Sequence, residues 1–345
     1  MSEMKTEMPL SKPVRLLISQ TEGLLDTEIS LIRNPEADPN GTLVDMYTYN
    51  VERNIILLPA HYIGLLKDFL IARHCVHLLI KGAAAKKSHY LVCSFTGDSM
   101  YRGIHQIYID ALKDEAKKEK KLPVIKLIRM LGILYSNVND EINELPWNSI
   151  TNASVYHRLP LLRKTQLYYL MKEGKMDMDA MMEYESVIPR RYFVLSKSMF
   201  YARDQYLAKT LPADQLMPVI NIPQMKKFNH LEVKEMLTTR WTHTSWYQSK
   251  IFGDNMLEIM EKYLQKIDWN AEPDLDYFHD IYRLGVQMTN HFISYMSMKD
   301  WFVWESPGHL REAQARKGEY ENKALKKIFG DLFEESPADS SGGKL

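Results

Sequence analysis

The chain has little cysteine, no excess of either charge and no long apolar run, and each absence excludes a class of protein. Two cysteines, Cys75 and Cys93, are too few for the disulfide framework of a small secreted domain. Even the apolar segment 124–135 contains Lys126 and Arg129, so no membrane span is predicted. The first residues, MSEMKTEMPLSKP, lack the apolar core of a secretory signal. We therefore expect a soluble cytoplasmic protein with no membrane partner.

The charge balance limits how the protein can bind a polyanion. Its 44 basic and 44 acidic residues give a formal net charge of zero. A protein that coats nucleic acid with its whole surface would be basic, whereas a local basic cleft balanced by acidic surface elsewhere remains allowed. The 345 residues are 45% hydrophobic, which is enough for one large domain or two lobes with a real core.

Short strand-like runs are confined to the N-terminal part. Alternating or β-rich segments predict a small meander, with a turn cluster at 34–41, from runs at 14–18, 27–32 and 44–49. A helix is predicted at 60–73. The runs 76–80 and 89–95 indicate a hairpin with a basic tip, and a helical pair is the alternative.

Helical periodicity dominates from residue 100 onward. The segment 124–135 is apolar almost all round, which predicts a deeply buried helix. The Asn-rich segment 137–152 is the predicted boundary between lobes. Further helices are predicted at 160–173, 176–186, 190–210, 231–247, 253–267, 274–298 and 308–334. The predicted fold is mainly α and two-lobed with a small β-containing N-terminal part: an N-terminal lobe at 1–145, a helical lobe at 146–334 and a disordered tail at 335–345.

Basic and aromatic residues alternate most densely between 189 and 250. Cations that hold phosphates beside rings that stack bases are typical of single-strand nucleic-acid binding. Helical spacing predicts that Tyr192 and Leu195 face inward while Lys197 and Tyr201 lie on the opposite face. The alternative without a ligand is that the aliphatic parts of these Lys and Arg side chains cover apolar neighbours while their charged ends stay in water. The candidate RNA-binding residues are Arg158, Arg163, Lys164, Arg190, Arg191, Lys197, Tyr201, Arg203, Arg240, Trp241 and Lys250.

A mixed N-terminal lobe, a long helical lobe, a basic–aromatic stretch after the inter-lobe segment and polar termini give a plan that resembles nucleoproteins of negative-strand RNA viruses. The resemblance covers the whole chain in outline, without a short motif. It implies sequence-nonspecific binding of single-stranded RNA in a groove between lobes, self-assembly through terminal arms into a nucleocapsid or virion, and no catalysis or cofactor. Whether a polymerase cofactor binds the tail stays open.

An enzymatic alternative comes from three short matches. The segment 95–100, FTGDSM, resembles the nucleophile block of GDSL-type hydrolases, and Asp276 and His279 match that family's Asp-x-x-His. Residues 137–140, NVND, resemble its asparagine block with the glycine replaced. The resemblance implies that Ser99 is the nucleophile, that Gly103 and Asn139 are oxyanion donors, and that His279 is the base, oriented by Asp276. Those hydrolases are α/β proteins, whereas few strands are predicted after Phe95. A helical scaffold without a ligand is the third alternative.

Two other patterns are weaker. Residues 82–88, GAAAKKS, follow a strand-like run but lack the second glycine of a phosphate loop. A set of soft ligands could hold zinc but has no paired ligand spacing: His74, Cys75, His77, His89 and Cys93. The acidic residues Asp274, Asp276 and Asp280 with His279 suit a metal, and equally the start of a helix. We predict no metal or cofactor.

Overall fold

The computed structural model describes residues 9–115, 123–170, 188–210 and 246–330, together with Phe333. This part of the chain is mainly helical with a few short strands, so the predicted fold class is confirmed. In chain order the elements are α1 Lys12–Leu25, β1 Ile29–Asn34, β2 Thr42–Val44, α2 Met46–Tyr49, β3 Asn54–Pro59, α3 Gly64–Lys86, β4 Val92–Ser94, α4 Gly97–Glu115, α5 Val124–Arg158, α6 163–170, α7 Arg190–Thr210, α8 Trp246–Leu264, α9 Leu275–Tyr295, β5 Val303–Glu305, α10 Pro307–Ala315 and α11 Lys317–Phe329.

Three strands form a small sheet in the order β1–β3–β2. Strand β1 pairs parallel to β3, and β2 pairs antiparallel to it. The central strand β3 buries Ile56 and Leu58, which are 0% and 1% exposed. The strand predicted at 27–32 is confirmed as β1, but the predicted meander is wrong, because parallel pairing requires a crossover between the strands.

Residues 14–18, predicted as a strand, belong to helix α1. Pro13 lies in the first turn, where its missing N–H leaves no bond unmade. The helix buries Val14, Thr21 and Leu25, which recur at helical spacing. The five-residue run was too short to show that period.

Residues 44–49, also predicted as a strand, contain a helix start. The Asp45 side chain accepts a hydrogen bond from the Thr48 N–H at 2.7 Å and so caps the short helix α2. Strand β2 therefore ends at Val44.

Helix α3 replaces both the shorter helix predicted at 60–73 and the first strand of the predicted hairpin. Residues 76–80 lie in its middle, and Val76, Leu78, Leu79 and Ile80 are all buried. A helix covered on most sides has the continuous apolar run that also marks a buried strand. Residues 82–86 are helical too, so they form no phosphate loop.

Helix α5 is 35 residues long and crosses the predicted lobe boundary. Pro146 lies inside it, and the segment 137–152 is helical instead of a linker. The expectation of burial all round is wrong at its first turns, because Val124, Ile125 and Ile133 are 45% to 47% exposed. One hydrophobic cluster includes buried side chains from both predicted lobes.

The predicted helices at 190–210, 253–267 and 274–298 are confirmed as α7, α8 and α9, with shifted ends. Helix α9 begins after Asp274, whose side chain accepts from the Tyr277 N–H at 2.8 Å. The single helix predicted at 308–334 is two helices, α10 and α11, which meet at Arg316. The predicted helix at 176–186, most of that at 231–247 and the tail lie outside the described residues. None of the helices in the described ranges combines the length and apolar character needed to cross a bilayer.

Close packing between α5 and α9 depends on Gly285. A Cβ at this position would overlap the ring of Trp147. We expect Gly285→Ala to lower the free energy of unfolding by about 1–3 kcal/mol, the usual cost of overpacking. Gly23→Ala is the matched control, because open space surrounds Gly23 in α1 and alanine there should stabilise the helix by roughly 0.5–1 kcal/mol. Urea unfolding should show a lower free energy of unfolding for Gly285→Ala and a higher one for Gly23→Ala than for the wild type.

Candidate functional site

A large cleft of mixed polarity, about 700 Å³ in volume and here called the central cleft, lies among the described residues. It lies between the loop 38–43, one face of α3, strand β4 and the α5 residues 139–148, with Tyr282 and Trp304 also on its wall. A cavity of this size and mixed polarity is the usual form of a ligand site.

Helix α3 supplies most of the basic residues of the cleft. Arg73, His77 and Lys81 follow one another at intervals of four, so they share one helix face, and His74 lies beside them. Sequence analysis grouped the two histidines with cysteines as possible metal ligands and did not identify Arg73 or Lys81. The signal was present as the four-residue spacing, but the predicted helix ended at residue 73.

Arg73 is a buried cation. It is 8% exposed, its Nη2 donates to Asn148 Oδ1 at 2.7 Å, and its Nη1 donates to the Tyr169 hydroxyl at 3.4 Å. The Tyr169 hydroxyl in turn donates to Asn40 Oδ1. None of the carboxylates in the described ranges pairs with Arg73. A buried charge without a counter-charge is unfavourable, so an anionic ligand would stabilise this part of the fold.

Lys81, in contrast, has its counter-charge. Its Nζ lies 3.0 Å from Asp45 Oδ2, and the Asp45 side chain is fully buried. Burial lowers the pKa of Lys81, but Tyr90 and Asp45 outweigh burial and raise it above its ordinary value. The Tyr90 hydroxyl shares a 2.8 Å hydrogen bond with Thr48. The buried floor of the cleft therefore has one compensated cation and one uncompensated cation.

The two histidines are neutral near pH 7. Burial, followed by the charge of Arg73, lowers the pKa of His74 to about 3. Burial together with Lys81 lowers the pKa of His77 well below its ordinary value. The His74 Nε2 lies 3.1 Å from the Asn40 carbonyl, and Gly41, at φ +70°, leaves no room there for a Cβ.

His77 differs from His74 in its contacts. No residue in the described part of the chain provides a hydrogen-bond partner for its ring. The imidazole is therefore free to meet a ligand in the cleft.

Rings and amides complete the wall. Trp147 stacks on Tyr282 with ring centroids 5.7 Å apart, and Tyr49 and Trp304 keep exposed surface. The α5 face adds the amides of Asn139, Asn143 and Asn148. Three carboxylates, Asp38, Asp140 and Glu144, also line the cleft and are more exposed than Arg73, although burial raises the pKa of Asp140.

The cations predicted on α7 are mostly engaged inside the protein. Arg191 bonds Asp110 Oδ2 at 3.0 Å and the Met296 carbonyl at 3.1 Å. Lys197 is 2% exposed, with its ammonium 3.6 Å from the centre of the Phe193 ring. The expectation that Lys197 lies on the outer face is wrong.

Tyr201 is also buried, contrary to the same expectation. It is 6% exposed, and its hydroxyl donates to Asp254 Oδ1 at 3.1 Å. Lys250 pairs with the other Asp254 oxygen at 2.5 Å. Arg203 lies 3.5 Å from Asp204 and over the Phe200 ring. Helix α8 packs along α7 and covers these groups.

The other predicted groove residues lie apart from this cluster. Arg158 donates to the Ala271 carbonyl at 2.9 Å, and Arg163 to the Tyr156 carbonyl at 2.7 Å. Lys164 and Arg190 are exposed, and the Arg190 backbone N–H bonds Asp114. Arg240 and Trp241 lie outside the described residues. None of the nine described members of the predicted set lines the central cleft.

The hydrolase arrangement finds no support in the described contacts. The Ser99 Oγ accepts from the Thr96 N–H at 2.8 Å and donates to the Thr96 carbonyl, within a turn that starts α4. The His279 Nε2 lies 3.0 Å from His89 Nδ1, and Asp276 pairs with Lys87. The nucleophile and the base therefore have other partners.

The five residues weighed as possible zinc ligands do not converge either. Among the described residues, no group of three or more His, Cys, Asp or Glu side chains could hold a metal. Cys75 is buried, and burial raises the pKa of both Cys75 and Cys93 to about 12, which disfavours the thiolate that zinc requires.

Comparison of the chain with protein-family models, curated proteins and solved structures finds no match. The fold and the site together define a mainly helical protein with a large cleft lined by basic, acidic, amide and aromatic side chains.

Proposed function

We propose that the chain binds single-stranded RNA without base specificity and that the central cleft holds part of the sugar–phosphate backbone. The observation that carries this proposal is Arg73, a buried guanidinium without an acidic partner among the described residues at the floor of a large cleft. A guanidinium suits a phosphate because its donors match two phosphate oxygens. His77 is a second donor beside it.

The remaining walls suit a nucleic acid better than a simple anion. Tyr49 and Trp304 offer exposed ring surface on which any base can stack. The α5 amides can donate to and accept from base edges. Lys317 is a third cation in the lining of the cleft, close enough to Asp140 to lower the pKa of that carboxyl against the effect of burial. Cations in the floor with rings and amides above them favour phosphate holding and stacking, which give affinity without sequence readout.

Self-assembly remains part of the proposal because it follows from the resemblance to viral nucleoproteins. The terminal arms that it would use, residues 1–8 and 334–345, lie outside the described residues. Light scattering of the purified chain with and without RNA tests it. A monomer under both conditions would remove the coat-protein part and leave RNA binding to stand on the cleft.

Fluorescence anisotropy with a labelled oligouridylate tests RNA binding. If Arg73 and Lys317 each neutralise a phosphate, we expect a plot of log K against log salt with a slope of about −1.4, since each single-strand contact contributes roughly −0.7. The expected affinity is highest at low salt and similar for oligocytidylate.

Two results would overturn the RNA proposal. One is the absence of binding at low salt. The other is full competition by a free mononucleotide at the affinity of the oligonucleotide, because the cleft would then be a small-molecule site.

A further inference from the structure

A second groove adjoins the central cleft, and the two share the side chain of Trp304. This lateral groove, about 660 Å³ in volume, lies between the outer face of α9 and strand β5. Its walls include Gln287, Asn290, His291 and Lys299. It is open to solvent, and it meets the central cleft at Trp304.

The charge of the lateral groove also favours an anion. No carboxylate is among the described residues that line it. Lys262 and Lys266 lie beside Tyr263, which lines the groove, with ammonium groups 5.9 and 5.0 Å from the centre of its ring. Burial and the charge of Lys262 lower the pKa of His291, so its ring is a neutral hydrogen-bonding group near pH 7.

The shared indole is held firmly in place. The Trp304 Nε1 donates to Asn290 Oδ1 at 2.8 Å, and the residue lies opposite Cys93 in the antiparallel ribbon of β4 and β5. The ribbon therefore separates the two cavities, with one aromatic side chain bordering both. A fixed ring at such a junction can stack a base as a strand passes from one cavity to the other.

We infer that the lateral groove is the second half of a continuous single-strand track, entered from the central cleft across Trp304, with Lys299 as a phosphate contact. The inference rests on the proposed RNA function and extends it, because it gives the site a length and a direction. A strand long enough to reach Lys299 should contact both cavities, whereas a short one should occupy the central cleft alone.

The test compares labelled oligouridylates of about 4 and about 12 nucleotides, near the ends of the range of site sizes for single-strand modules. For Lys299→Ala we expect the salt slope for the long oligonucleotide to become shallower by about 0.7, the loss of one phosphate contact. The short oligonucleotide should bind as it does to the wild type. Lys323→Ala is the matched control, since it removes the same charge from an exposed residue of α11 that pairs with Glu319, and it should change neither slope.

Failure of the inference and failure of the proposed function give different patterns. If binding of the short oligonucleotide depends on Arg73 but Lys299→Ala leaves the salt slope of the long one unchanged, the track is wrong and the cleft proposal stands. If Lys299→Ala makes the salt slope shallower by the same amount for both oligonucleotides, the track is also wrong, because Lys299 would then act on the cleft. If the wild type binds neither length at low salt, both proposals fall.

Discussion

Replacing Arg73 by methionine is expected to lower the affinity for single-stranded RNA about 30-fold. The variant loses a hydrogen bond to a charged phosphate, which contributes roughly 2 kcal/mol. A change of about 1.4 kcal/mol in binding free energy corresponds to a tenfold change in affinity. The same variant should be at least as stable as the wild type without RNA. The reason is that methionine fills similar space without a buried charge, and Tyr169 keeps its bond to Asn40. Anisotropy and urea unfolding measure the two effects.

Arg191→Met is the matched control because it removes the same charge from the other candidate site. Arg191 already has a counter-charge, since it and Tyr192 bond Asp110 and together outweigh burial in lowering the pKa of that carboxyl. We expect unchanged RNA affinity and a loss of up to about 1 kcal/mol in stability, as for a partly exposed ion pair. If Arg191→Met lowers the RNA affinity and Arg73→Met leaves it unchanged, the binding site lies on α7 and the cleft proposal is wrong.

The two candidate sites show what helical periodicity can predict. On α7 the period correctly placed Lys197 and Tyr201 on one face. It could not predict which face another helix covers, because that depends on α8, which begins at Trp246 whereas α7 ends at Thr210. Burial of Lys197 over a ring and of Tyr201 against Asp254 is a tertiary effect that no single segment encodes.

The central cleft was missed for a different reason. Arg73, His77 and Lys81 carry a regular spacing, but the apolar run at 76–80 reads equally as a buried strand. Dividing α3 at that point placed Arg73 on a helix and Lys81 in a turn, which concealed their common face. The helices from α7 to α9 were predicted well because their apolar stripes are long enough to distinguish a period of 3.6 from one of 2.

The stability of the unliganded protein is expected to fall steeply as the pH drops from 7 to 5. The pKa of His74 is about 3 in the folded protein, and that of His77 is also well below its ordinary value. In the unfolded chain both should titrate near 6.5, so above that pH neither histidine contributes a pH-dependent term. Below it the unfolded chain binds protons that the folded protein does not. His74 should then destabilise the fold by about 2 kcal/mol at pH 5, and His77 should act in the same direction.

Unfolding in urea at pH 7.5 and pH 5.0 measures this fall, and the double variant His74→Gln with His77→Gln is the control. Glutamine keeps a neutral polar group in the cleft and cannot titrate, so the variant should lose the part of the pH dependence that His74 and His77 cause. The pKa values of His157, His279 and His291 are also lowered by burial, so these histidines should leave a smaller fall in both proteins.

Bound RNA should act in the opposite sense, because phosphate beside His77 raises the pKa of its imidazole and favours proton uptake in the complex. RNA affinity should therefore rise as the pH falls towards 5.5 in the wild type and stay level in the double variant. An equal rise in both proteins would place the titrating groups elsewhere and separate His77 from the phosphate.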